Sequence, residues 1–125
     1  MDEMISGEGR AKRQTGKHLP AFLLLLIAEE PSYGGSLVSR LSELLPNWAV
    51  DSGGVYRMLR DMEERGTVES DWDLADAGAP RRVYRITEAG MKELASWRRD
   101  IEERRRGLDL FLDRYGLLMK DPPAL

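Results

Sequence analysis

Three arginines, Arg81, Arg82 and Arg85, fall within the stretch PRRVYRITEAG, residues 80 to 90. Guanidinium groups at that density on a short extended segment suit one chemistry well, charge-assisted hydrogen bonding to carboxylate or phosphate oxygens. A second set lies upstream in SGGVYRMLR, where Ser52, Gly53 and Gly54 open a helix and Tyr56, Arg57 and Arg60 follow inside it. Glycines there bring bare backbone close to whatever lies outside, and a helix N-terminus attracts anions. Carboxylates stand against both sets: Glu69, Asp71 and Asp73 precede the three arginines, while Asp51, Asp61 and Glu64 surround the second group. The arginines therefore have a competing use as cross-strand ion pairs, each worth tenths of a kcal/mol up to about 1 kcal/mol.

Other chemistries lack their parts. The chain of 125 residues has no cysteine and a single histidine, His18. Thiolate metal sites, disulfides and a nucleophile–base pair are excluded, and His18 reads as a surface residue near a helix start. No phosphate-binding glycine loop follows a strand and no carboxylate pair can be inferred, so an enzyme is not expected, nor a cofactor or a metal. The formal net charge is −3 and the pI about 5.3, which argues against an all-over nucleic-acid coat but leaves local cationic fields open. Arg10, Lys12, Arg13 and Lys17 precede the apolar run AFLLLLIA at 21 to 28, an arrangement that imitates a secretory signal. The run is far shorter than the ~20 residues of a membrane span and continues into Glu29-Glu30-Pro31 without a cleavage pattern, so a core helix in a cytoplasmic protein is expected.

The elements that must carry these residues follow from periodicity. Residues 1–16 are polar, mix both charges and show no period, which predicts a flexible tail whose Arg10, Lys12 and Arg13 could add phosphate contacts. A first helix is predicted at about 18–29, with Pro20 near its first turn. A second follows Pro31, with Ser32 as N-cap and Leu37, Leu41, Leu44 and Leu45 as its apolar stripe, ending at Pro46. The third runs from Asp51 or Ser52 to Gly66, with Val55, Leu59 and Met62 on the buried side and Gly53, Arg57, Arg60 and Glu64 opposite. The period then changes to two. In TVESDWDL, Val68, Trp72 and Leu74 alternate with acids; ADAGAP supplies a turn; RRVYRI returns with Tyr84 and Ile86 on one face and Arg81, Val83 and Arg85 on the other. Thr87 caps a last helix to about Leu118, in which Leu94, Ile101, Leu108 and Tyr115 recur every seven residues beside Trp97, Phe111 and Leu118, interrupted by Arg104.

The predicted fold is mainly α with a small β-hairpin: a winged helix-turn-helix at 17–86, a long dimerisation helix at 87–120 and a short tail at 121–125. In that order of elements the third helix enters a major groove and the hairpin flanks it on the phosphates, where Arg81, Arg82 and Arg85 would fix the register on double-stranded DNA. The candidate DNA contacts are thus Ser52, Gly53, Gly54, Tyr56, Arg57, Arg60 and the three wing arginines.

Three motifs in this order, PSYGGSLVSRL at 31–41, SGGVYRMLRDMEERG at 52–66 and RRVYRITEAGMKEL at 81–94, resemble those of the PadR family of transcriptional regulators. The resemblance covers about residues 17–118. It implies a homodimeric, repressor-type regulator of the short subgroup, dimerised through Leu94, Trp97, Ile101, Leu108, Phe111 and Tyr115, on a pseudo-palindromic operator. Trp97 is similar in position to a tryptophan that, in drug-sensing members, stacks on aromatic ligands at the dimer interface, so a small aromatic effector is implied. Two positions depart from the pattern, Gly35 for tyrosine and Gly54 for threonine or serine, which removes two expected DNA contacts. A winged-helix module for protein contact, or a DNA binder without an effector, stays open as the alternative.

Overall fold

The structure is a computed structural model that describes the backbone of residues 7–74 and 78–125 and the side chains of 17–74 and 78–125. Its contacts fall into two units, Met1–Leu94 and Ala95–Leu125.

In the first unit, the apolar run at 21 to 28 lies in helix α1 (Gly7–Glu29), where Leu23, Leu24 and Ile27 are completely buried. Helix α1 begins eleven residues earlier than the predicted start at 18. Ala11, Lys12, Arg13 and Gln14 are good helix formers with no proline among them, so the helix extends back and Pro20 lies in its interior rather than its first turn. The expected phosphate contacts of Arg10, Lys12 and Arg13 concern side chains outside the described residues, as do residues 1–6 of the predicted tail.

Strand β1 (Ser32–Tyr33) comes between α1 and α2 (Gly34–Leu44) and displaces Ser32 from its predicted cap position. Tyr33 is the N-cap and makes no side-chain cap bond. Ser32 instead donates from Oγ to the Glu30 carbonyl at 2.9 Å and accepts from Arg40 at 2.7 Å. Arg40 also reaches Glu29 at 3.0 Å, tying α2 to the end of α1. Leu37 and Leu41 are buried as predicted, while Leu44, in the last turn, is 49% exposed.

Helix α3 (Ser52–Arg65) is capped by Asp51, whose side chain accepts from Gly54 N–H at 3.0 Å, and is closed by Gly66 at φ 85°. Only glycine adopts that left-handed turn without strain. Val55, Leu59 and Met62 are buried against α1 and α2. Each such side chain contributes about 1.5–3 kcal/mol.

Strands β2 (Val68–Asp73) and β3 (Arg81–Ile86) pair antiparallel with register Val68↔Ile86, Ser70↔Tyr84 and Trp72↔Arg82, and β1 pairs on the other side of β3. The predicted hairpin is thus a three-stranded sheet in the order β1-β3-β2. Two residues are too few to show a period, which is why β1 escapes sequence reasoning. Along the face predicted to be apolar, burial falls away toward the turn: Val68 is buried, but Trp72 is 58% and Leu74 70% exposed. Part of the predicted turn, residues 75–77, lies outside the described residues.

Helix α4 (Glu88–Lys120) starts at the predicted cap, with Thr87 Oγ1 accepting from Gly90 N–H at 3.0 Å and donating to the Gly66 carbonyl at 2.6 Å. At Gly90 a side chain has no room, since a Cβ would lie 2.1 Å from the Thr67 carbonyl oxygen. In the second unit α4 continues without a break, and every side chain from Ile101 onward is exposed.

Candidate nucleic-acid interface

Helix α3 presents its predicted contacts at two places. At its start, Ser52 is exposed and Gly53 and Gly54 are half-buried beside the Asp51 carboxylate. Arg57, one turn on, pairs with Asp51 at 3.6 Å, with both side chains well exposed. On a separate face, at i, i+4 and i+7, Tyr56, Arg60 and Glu63 lie near enough to Tyr84 of the wing to act on its phenol. Burial first, and then the Glu63 carboxylate, push the Tyr84 phenol above its ordinary pKa. Tyr84 is therefore a neutral group between α3 and the hairpin.

Tyr56 is half-exposed but not loose. A Cβ on Gly34 would stand 2.4 Å from its Cε1, so the ring lies directly on the backbone of α2. The small residue in the second helix thus fixes the phenol in the third, a dependence that the sequence motif contains but its spacing alone does not reveal.

The three wing arginines do not share a face. Arg81 and Arg85 alternate with Val83 on one side of β3, and Arg82 is on the other side with Tyr84. Arg81 stacks on the Tyr33 ring at 4.0 Å, and the Tyr33 hydroxyl donates to the Asp73 carboxylate. Arg82 stacks on Trp72 at 4.5 Å and donates to Ser70 Oγ at 2.7 Å, which in turn donates to Glu63 at 2.8 Å. Both guanidinium groups are thus held over aromatic rings with exposed edges, and Arg82 is linked through Ser70 to helix α3. The cross-strand partners Glu69, Asp71 and Asp73 lie on the Arg81 and Arg85 side, as the register requires. Sequence reasoning misses Tyr33, Trp72 and Gly34 as site residues. It places Trp72 on the buried face because alternation shows a face but not where along the strand the covering helices end.

Together these residues border an open cleft of about 930 Å³, lined among others by Gly34, Ser36, Tyr56, Trp72, Arg81 and Arg82. Its walls are the start of α2, the side of α3 and the wing, and it carries arginine edges, hydroxyls and aromatic rings. Such a lining suits a sugar–phosphate strand passing between a helix and a wing. Among the described residues no group of histidines and carboxylates could hold a metal ion, and no helix is long and apolar enough to cross a membrane.

The predicted dimer residues fall on α4. Leu94 and Trp97 are half-buried; Ile101 is 38%, Leu108 66%, Phe111 65% and Tyr115 54% exposed. Phe111 and Tyr115 stack with ring centroids 6.4 Å apart.

The chain matches the transcriptional regulator PadR-like family over residues 23–96. A solved structure described as a conserved protein of unknown function and potential transcriptional factor, TM0937, is 34% identical with a TM-score of 0.74, over 82% of this chain and 91% of that one. The probable transcriptional regulator Rv1176c of Mycobacterium tuberculosis is 31% identical over 63% of this chain, which spans 42% of that relative's length. Bacillus subtilis PadR, solved in complex with operator DNA, shares the fold at 21% identity and a TM-score of 0.58, over 63% of this chain and 45% of that one. The matched residues contain the second and third helices and the wing, whose geometry builds the cleft, together with the capped start of α4, and the chain belongs to the PadR-like family of transcriptional regulators.

Proposed function

We propose that the chain acts as a cytoplasmic homodimeric repressor, binding a pseudo-palindromic operator with α3 in the major groove and the wing on the flanking phosphates. The observation that carries the DNA contact is the convergence of Tyr56, Arg81 and Arg82 on one cleft beside the exposed Arg57 and Arg60 of α3. The operator complex of Bacillus subtilis PadR supports the same use of the fold. Ser52, Gly53 and Gly54 bring the helix start close to the duplex, and Arg85 extends the cationic edge of the wing.

The dimer rests on α4, whose apolar residues from Ile101 to Leu118 are exposed in the single chain. A twofold pair of recognition helices then reads half-sites about one helical turn, ~34–36 Å, apart. Trp97, on the same apolar seam, borders the dyad in this reading and offers an indole face to a planar aromatic effector. The effector acts only if it favours one spacing of the two recognition helices over another.

Anisotropy titration of a labelled duplex across a salt series tests the DNA reading. Phosphate neutralisation makes log affinity fall linearly with log salt. A flat response favours the alternative, a winged-helix protein-contact module, for which the exposed acids Glu69 and Asp71 of β2 speak. Trp97→Ala is expected to abolish ligand-induced release while leaving ligand-free operator binding nearly intact. Joint loss of dimer and DNA binding would make Trp97 plain interface core.

A further inference from the structure

Tyr33 stands where a helix start favours a short side-chain acceptor. It is the N-cap of α2 and makes no side-chain bond to that helix. Serine, threonine, aspartate or asparagine would satisfy an orphan N–H there, and a hydroxyl at the far end of a rigid ring does not reach one. The ring goes the other way, over the sheet. Tyr33 pairs with Val83 of β3, and Val83 with Asp71 of β2, so all three share a face with the Arg81–Asp73 pair two residues nearer the turn. Strand β1 ends at Tyr33, so Arg81 has no strand neighbour on that side of β3 among the described residues. The phenol takes that place. Its hydroxyl donates to the Asp73 carboxylate and the Arg81 guanidinium stacks 4.0 Å from the ring centroid, so a half-buried side chain from β1 reaches across β3 to β2. The next residue, Gly34, seats Tyr56 of α3, and one dipeptide thereby sets a group on the wing and another on α3.

We propose that Tyr33 is a positioning residue for DNA binding: its ring holds the Arg81 guanidinium ready for a phosphate, and its bond to Asp73 holds the ring. The proposal rests on the wing lying along the DNA phosphates. An arginine on an exposed strand end loses rotamer freedom when it binds, and a ring already stacked beneath it takes part of that loss before the duplex arrives. Tyr33 then strengthens binding without itself neutralising a phosphate.

Native, Tyr33→Leu, Arg81→Ala and doubly substituted full-length chains are titrated by anisotropy, across a salt series, against a duplex that the native chain enriches from a randomised pool. Melting temperatures establish that each is folded at the titration temperature, and Tyr33→Met gives the same cycle if leucine unfolds the chain. Tyr33→Leu is expected to weaken binding about two- to fivefold, the scale of a guanidinium on a ring at an exposed site, with the salt slope unchanged. On the Arg81→Ala background, whose slope is about one unit smaller, the same change should have no further effect. Tyr33→Phe keeps the ring and should recover most of the loss. Equal weakening on both backgrounds would make Tyr33 a purely structural residue, and no weakening on the native background would show that Arg81 does not depend on it; each overturns the inference. Native affinity and slope for Arg81→Ala would take this edge of the wing off the phosphates, overturning the inference while leaving α3 on the DNA. A native chain that binds no duplex at any salt overturns the DNA reading itself, and the inference with it.

Discussion

The helices of the first unit and the distal part of α4 use the same kinds of residue to opposite ends. Leu23, Leu24, Leu37, Leu41, Leu59 and Met62 close on one another and leave no surface to water. Leu108, Leu110, Phe111, Leu112, Leu117 and Leu118 are all at least half-exposed. Apolar content is therefore not what marks a core. The first three helices are joined by short connections and fold back onto each other, whereas one unbroken helix cannot bury its own stripe. The stripe of the second unit stays exposed among the described residues, and it is on this stripe that the proposed dimer rests.

That contrast can be broken most forcefully from the buried side. Leu59→Ala leaves a cavity under α3 and is expected to cost about 2–5 kcal/mol in denaturant unfolding. Leu110→Ala, on exposed surface, should leave the unfolding of a dilute single chain within about 0.5 kcal/mol; comparable losses from both would erase the distinction between the units. The next largest effect is on association. If the chain dimerises as proposed, Ile101→Asp with Leu108→Asp should yield monomers in sedimentation, while amides of α1 and α3 keep their hydrogen-exchange protection. An undisturbed dimer would overturn the role assigned to the seam, and loss of protection in α1 would show that the first unit does not stand alone.

Smaller effects sharpen the wing. Arg81→Ala with Arg82→Ala should weaken binding to all duplexes alike and shrink the salt slope by roughly one unit for each phosphate that is no longer neutralised. Because Arg82 is also tethered through Ser70 to Glu63, Ser70→Ala is expected to weaken operator binding without changing that slope, at a stability cost of about 0.5–1.5 kcal/mol. If Ser70→Ala alters the slope and Arg82→Ala does not, the contact and positioning roles are assigned the wrong way round.

Most of this architecture is legible in the sequence because it is written in local chemistry. Asp51 and Gly66 bracket α3, Thr87 starts α4, and the change of period at Val68 marks the wing. Three kinds of information are not local. The length of α1 depends on a polar segment continuing a helix that its pattern does not demand. Strand β1 exists only because β3 offers it an edge. The rings beneath Arg81 and Arg82 come from β1 and β2, so the pairing register, rather than the arginine spacing, decides which aromatic residue each one meets. The same holds for Tyr56, whose seat on Gly34 joins two helices that sequence reasoning treats one at a time.

The strand order has a bearing on solubility. With β3 in the middle, β2 is an edge strand, and edge strands invite pairing with other chains. Here its sequence carries Glu69, Asp71 and Asp73, three like charges spaced two residues apart on one face. Two such edges meeting side by side would bring those carboxylates together and repel. The acids that oppose DNA thus also act as a guard against sheet-to-sheet aggregation while the hairpin forms, and neutralising all three to asparagine and glutamine should show first as turbidity at high protein concentration rather than as any change in the fold.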